Sequence, residues 1–191
     1  MKEKKEKRRW GLMIFIILIM VGTSFGAYLS FAPDSTQNVR YKNFVFGYNG
    51  KYWIAKINGQ QAAFSYQPKD VEDIYVSPEI KDLLPNKLEI DTTSEYNSTA
   101  KQQIAYAQQN MGLTLTNYKV YLRQGFTENN PFKFPIINCS AATQAVPIIY
   151  FTLSNETKIF TEGKCVIAQS SKPGEVERVK DRILYSILGV I

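Results

Sequence analysis

Histidine is absent from this 191-residue chain. That removes the commonest general base and the commonest metal ligand at once, and argues against His-dependent triads, HExxH zinc sites and haem ligation by histidine. Cysteine occurs only twice, at Cys139 and Cys165, and two thiolates with no histidine fall short of a zinc site. The sequence has no glycine-rich phosphate loop. Charge is also missing over a long stretch: residues 11–31 contain no Asp, Glu, Lys or Arg.

Ahead of that stretch lies a dense basic segment, Lys2, Lys4, Lys5, Lys7, Arg8 and Arg9. An apolar run of about 20 residues is long enough to cross a bilayer as a helix, and flanking Lys and Arg mark its cytoplasmic side. Residues 1–10 therefore read as a cytoplasmic tail, 11–31 as a transmembrane signal anchor, 32–40 as a linker and 41–191 as an extracytoplasmic domain. Trp10 and Tyr28 sit where interfacial aromatic residues belong. A cleaved signal peptide is the rival, with its apolar centre at 12–21 and a small-x-small site at Ser24-Phe25-Gly26. A pilin-like assembly helix after Gly11 is disfavoured, because Ile16 stands where the usual Glu would fall. Removing the tail's six basic and two acidic residues from the chain's 23 and 17 leaves 17 against 15. The net charge of +6 thus belongs mostly to the tail, and a nearly neutral domain argues against a nucleic-acid partner.

Export bears on the cysteines. A lone pair in an oxidising compartment predicts a Cys139–Cys165 disulfide, closing a loop of about 27 residues and contributing on the order of 3 kcal/mol in the chain-entropy model. Asn97, Asn138 and Asn155 each begin an Asn-x-Ser/Thr triplet, the glycosylation acceptor pattern of exported loops.

Local structure is clearest at residues 41–67, where Asn49-Gly50 and Asn58-Gly59 separate β-rich runs. Asn-Gly favours the two-residue type I′ hairpin turn, so the pattern predicts a three-stranded meander. Phe46 then opposes Trp53, and Ala55 opposes Ala62. Phe44, Phe46, Trp53, Ala55, Ile57, Ala62 and Phe64 share one face, read as the core side. Further on come a short strand at 74–76, a short helix at 78–84 and a strand at 87–91. A helix at 98–111 follows, with Ala100, Ile104, Ala107 and Met111 on one face and Gly112 ending it. A strand at 113–124 then completes a βαβ-like unit. Residues 127–135 read as a loop, and strands are expected at 145–153, 157–161 and 164–169. The closing helix runs from about 173 to 188. Val176, Val179, Ile183, Ile187 and Val190 form its buried stripe, while Glu175, Glu177, Arg178, Lys180, Asp181 and Arg182 lie mostly outside. The fold class is α+β: an N-terminal transmembrane helix, then an antiparallel β-meander plus a mixed sheet packed by two or three helices.

Cys139 before Val146-Pro147-Ile148-Ile149, then Glu162-Gly163-Lys164-Cys165-Val166, then Asp181-Arg182 and Tyr185 before Leu188-Gly189 form a combination that resembles a loose group of uncharacterised archaeal single-pass membrane proteins. The resemblance covers the last 55 or so residues and the anchor. It implies an exported, cysteine-paired α+β domain and brings no activity with it.

For chemistry the candidates are thin. Glu72 with Asp73, Asp91 with Glu95, and Glu162 could supply the acid pair of a glycosidase or acid protease. Ser140 or Ser170 beside Lys164 or Lys172 could form a Ser-Lys dyad. None sits in a recognisable motif, so no catalytic, cofactor-binding or metal-binding residue is assigned. The expected role is non-catalytic: binding a protein or envelope-polymer partner outside the membrane, or assembly there. The alternatives are a tethered envelope hydrolase with a carboxylate pair, and a pilin-like structural subunit.

Overall fold

The computed structural model describes residues 37–191, together with Met13 and Ile14, which are helical and exposed. The expected tail and transmembrane helix otherwise lie outside the described residues. Among the described residues no helix is long and apolar enough to cross a membrane. Residues 37–191 fold as one unit, containing ten strands and three α-helices among the described residues.

The first sheet is an antiparallel meander of β1 (Asn38–Tyr41), β2 (Phe44–Tyr48), β3 (Trp53–Ile57) and β4 (Gln60–Phe64), in that order. It holds four strands rather than three, because residues 38–40, read as linker, pair with β2. The second turn is as expected: Asn58 and Gly59 both have positive φ, and Ala55 faces Ala62. The first is looser. Phe46 faces Ala55 instead of Trp53, and Tyr48 faces Trp53. Asn49 causes the difference, since its Oδ1 accepts the N–H groups of Lys51 (3.0 Å) and Tyr52 (2.7 Å). This Asx turn widens the loop to four residues. A two-residue shift preserves the strand face, so the apolar side survives: Phe46, Ala55, Ile57, Ala62 and Phe64 are all buried.

The second sheet is mixed, with the order β5-β9-β10-β8-β6-β7. Its strands are β5 (Tyr75–Val76), β6 (Glu89–Ser94), β7 (Tyr121–Gln124), β8 (Ile148–Leu153), β9 (Lys158–Glu162) and β10 (Cys165–Ser170). Strands β7, β6, β8 and β10 run parallel, and only β9 against β10 is antiparallel. The helices are α1 (Ile80–Leu83), α2 (Lys101–Thr116) and α3 (Val176–Ile187). The βαβ unit is present as β6-α2-β7, but α2 continues through Gly112 to Thr116 and the strand begins only at Tyr121. Two effects override the glycine. Met111 and Leu115, one turn apart, are both buried. Position 112 also packs on β7, where a Cβ would meet Leu122 at 3.5 Å, an ordinary van der Waals contact. The far end of α2 covers the edge strand β4: Thr114 Oγ1 donates to Ala63 O (3.2 Å) and Asn117 Nδ2 to Gln61 O (2.9 Å). Covering an edge in this way removes a template for aberrant pairing.

Helix α3 packs against β10 and α2, and Tyr185 meets the meander, stacked on Phe64 at 4.1 Å and edge-on to Phe46. The apolar stripe is where the sequence pattern puts it, with Val176, Val179, Ile183 and Val190 all buried. The polar face is not. Lys180 and Asp181, expected outside, are 1% and 0% exposed. Because α3 is covered by the meander as well as by the mixed sheet, its second flank has no solvent to face. Cys139 and Cys165 are disulfide-bonded with Cα atoms 5.2 Å apart. The bond ties the loop before β8 onto the outer face of the mixed sheet, beside the small cluster of Ile137, Ile148 and Ile167.

Candidate binding cleft

Strands β6 and β7 lie side by side and parallel, joined by α2, so their carboxyl ends at Ser94 and Gln124 come together. The chain then returns to β8, on the other side of β6. Strand ends where the connections diverge are the usual binding crevice of parallel sheets. Here they form one wall of a cleft of about 320 Å³. A second wall is one face of α2, where Lys101, Ala105 and Gln108 follow at helical spacing. The third is the segment carrying Phe126, Phe132 and Phe134.

That third wall is built by short-range constraints. A Cβ on Gly125 would sit 2.5 Å from the Pro135 carbonyl oxygen and 2.7 Å from the Ile137 side chain. Glycine is therefore the residue that lets 135–137 run beside Phe126, where Phe126 N donates to Pro135 O (2.9 Å) and Ile137 N to Phe126 O (2.8 Å). Asn130 closes the loop: its Oδ1 accepts from Phe132 N (3.2 Å) and Phe134 N (3.1 Å), while Nδ2 donates to Phe134 O (3.0 Å). Phe126 ends up 6.0 Å from Phe132, 5.8 Å from Phe134 and 6.5 Å from Tyr96. Phe132 and Phe134 remain 61% and 48% exposed. Exposed rings gathered in one place mark an interaction site more often than scattered ones do.

Gln108 is a buried polar side chain of this cleft. The residue is 5% exposed, lines the cleft, and its Nε2 has no hydrogen-bond partner among the described residues. Leaving a buried donor unsatisfied costs about 1–3 kcal/mol. The lining carries no carboxylate, and Lys101 is its one cation. Lys101 opens the 16-residue helix α2, whose N-cap Ala100 makes no side-chain cap and whose first turn holds no acid. The positive end of that helix dipole is therefore not neutralised by its own side chains.

A second cavity of about 300 Å³ lies between the meander and α2, lined in part by Lys180 and by Asn110, whose Nδ2 is also buried without a partner among the described residues. The Lys180 ammonium is already committed, 2.5 Å from Asp181 and 3.2 Å from Glu177. Burial alone would push the Lys180 pKa down, but its two carboxylate neighbours raise it above the ordinary value. Asp181 also accepts from Ser65 N and Tyr66 N at 2.8 Å each, and Glu177 from Ser65 Oγ at 2.8 Å. Burial wins over these partners and pushes the Asp181 pKa up to about 6.

The carboxylates named from the sequence do not converge. Asp91 is held bidentately by Arg123 at 2.8 and 2.6 Å, and Glu95 accepts from the Tyr150 hydroxyl at 2.8 Å. Glu72 is bonded by the Tyr41 hydroxyl, Asp73 pairs with Arg178 at 2.6 Å, and Glu162 is exposed at the end of β9. Ser140 Oγ bonds Asn138, while Ser170 is buried at the end of β10. Asn97, Asn138 and Asn155 are all exposed. Sequence reasoning missed Gln108, Phe126, Phe132 and Phe134. The signal available was three phenylalanines within nine residues of a polar, Pro-containing loop that offers them no strand or helix to pack in.

Comparison of the chain with family models, with curated proteins and with solved structures finds no match in any of the three.

Proposed function

We propose that the chain is a single-pass membrane protein, N-terminus inside, whose α+β domain is displayed outside the cell and binds a ligand in the cleft between α2 and the Phe126–Phe134 loop. The observation that carries the binding reading is Gln108, which lines an aromatic cleft and whose buried Nε2 has no partner among the described residues, a donor that an acceptor brought by a ligand would satisfy. The basic flank and uncharged run of residues 11–31 support the anchor. The disulfide and three exposed acceptor asparagines fit an oxidising, extracytoplasmic setting. The engaged carboxylates favour a non-catalytic role over the hydrolase reading, since each of Asp91, Glu95 and Asp73 already has a partner.

The test is Gln108→Leu in the full-length chain, reconstituted in lipid nanodiscs. Replacing an unsatisfied donor by an apolar side chain of similar size should stabilise the ligand-free protein by about 1–3 kcal/mol, a rise of several degrees in Tm for a domain of this size. A lower Tm for the variant would mean that Gln108 serves the fold rather than a ligand, and the binding reading would fail.

A further inference from the structure

Resting on that reading of the cleft, we infer that its occupant is a small amphipathic carboxylate: an apolar, ring-sized body with an anionic group at one end and a neutral oxygen acceptor at the other. The charge argument comes first. Lys101 is the only charged side chain in the lining, with no carboxylate opposing it. It stands at the acid-free N-terminus of a 16-residue helix, where Ser98 takes the N–H groups of Ala100 (3.2 Å) and Lys101 (3.1 Å) but no side chain neutralises the dipole, which adds to its field. A cationic ligand would meet repulsion with no counter-charge. The second argument is the separate donor. Gln108 is buried, unpartnered and seven residues further along the same helix face, which is about 10 Å at 1.5 Å per residue. The two groups rise from backbone positions two helical turns apart, so a ligand that meets both offers two oxygens spaced from each other.

The wall between the two ends decides what lies in the middle. Phe126, Phe132, Phe134 and Tyr96 offer ring faces and edges there. A polyol lying along them would strand several hydroxyls against carbon, each losing its water without a partner. A flat apolar body loses nothing and gains ring contacts. Size agrees: about 320 Å³, at roughly 30 Å³ per water-sized atom, holds on the order of ten non-hydrogen atoms. An aromatic acid with a distal hydroxyl fits these conditions, its carboxylate toward Lys101 and its hydroxyl oxygen accepting from Gln108 Nε2.

The probes are 4-hydroxyphenylacetate, its methyl ester, phenylacetate and methyl glucoside, titrated calorimetrically into the full-length chain in nanodiscs, with empty nanodiscs subtracted. The acid should bind at least tenfold tighter than its ester. Lys101→Met should bring the acid down to the ester's affinity while leaving the ester unchanged, the coupling a double-mutant cycle isolates. Gln108→Leu should erase the advantage of 4-hydroxyphenylacetate over phenylacetate, and Phe126→Ala should weaken all three aromatic probes. Equal binding of acid and ester, or a preference for methyl glucoside, overturns the carboxylate class and leaves the cleft reading intact. No binding of any probe also overturns the class, and the Gln108→Leu stability change then decides separately whether the cleft binds anything.

Discussion

Two regions of this domain bury polar side chains, and they do so in opposite ways. Under the meander, α3 buries Lys180 and Asp181 against opposite charge: ammonium to two carboxylates, Asp181 Oδ2 to two backbone N–H groups, and the Ser65 hydroxyl to Glu177, while Glu177 Oε1 and Arg182 Nη1 stay buried without a hydrogen-bond partner. In the cleft, Gln108 is buried with its amide nitrogen unused, beside phenylalanines left half in water. The first arrangement stitches α3 to the end of β4. The second leaves energy that the fold does not recover on its own. What separates the two is charge: the α3 groups face an ion-pair partner, whereas the Gln108 amide faces neither a partner nor a charge among the described residues.

Breaking the ion-paired region should have the largest effect. Asp181→Ala strands the N–H groups of Ser65 and Tyr66 and leaves Lys180 buried with Glu177 alone. Removing one partner of a buried pair typically costs about 3–5 kcal/mol, so urea unfolding of the full-length variant should show a loss of that order. A loss below about 1 kcal/mol, the level of an exposed ion pair, would show that the cluster is wet and that the contrast with the cleft is unfounded.

The cleft responds to a smaller and more local change. Gly125→Ala drives a Cβ to 2.5 Å from the Pro135 carbonyl, and the backbone must shift. Overpacking of this kind costs about 1–3 kcal/mol. The displaced segment carries Phe126 and leads to Phe132 and Phe134. Affinity for any cleft ligand should therefore fall at least tenfold, while the α3 cluster stays intact. Hydrogen exchange localises the effect: faster exchange at residues 125–137 with unchanged protection of 176–187 is expected, and loosening of both would show that the two regions are not independent.

Those two regions were unequally legible in the sequence. Period-two alternation and a second Asn-Gly turn located the meander and its core face, and period 3.6 located α3's apolar stripe, because both patterns report burial of apolar side chains. Asp181 and Lys180 escaped, since a pattern rule assigns charge to solvent and cannot see a second sheet arriving on the polar flank. Asn49 escaped because a side chain-to-backbone bond decided the loop length, and that competition is invisible to a dipeptide rule. Gly112 misled for a related reason: it ends helices when nothing packs there, but Met111, Leu115 and the nearby Leu122 hold α2 together across it. The cleft was hidden because its parts are far apart in sequence, and only the βαβ crossover joins Gln108 to Phe126.

The subtlest expected effect concerns pH, and it again separates the regions. Burial raises the Asp181 pKa from its ordinary 3.8 to about 6, so the folded state binds this proton more tightly than the unfolded chain. Its contribution to stability is complete below the unfolded value, near pH 4, and is lost as pH rises through 6. Lowering the pH from 7 to 5 should thus stabilise the domain through this group by on the order of 1 kcal/mol, because each tenfold difference in proton affinity between the folded and unfolded chain is worth about 1.4 kcal/mol. Glu79 and Glu156, with pKa values lowered by the Ser77 hydroxyl and by Lys158 respectively, act in the opposite direction, losing their contribution only as pH falls through their own lowered range. Asp181→Asn keeps an acceptor for Ser65 and Tyr66 and cannot titrate, so urea midpoints for this variant should be flatter between pH 7 and 5 than for the native chain. Parallel profiles for the two proteins would place the titrating group elsewhere. The cleft lining has no carboxylate to titrate in this window, so a binding constant measured over the same range should change only with the ligand's own ionisation.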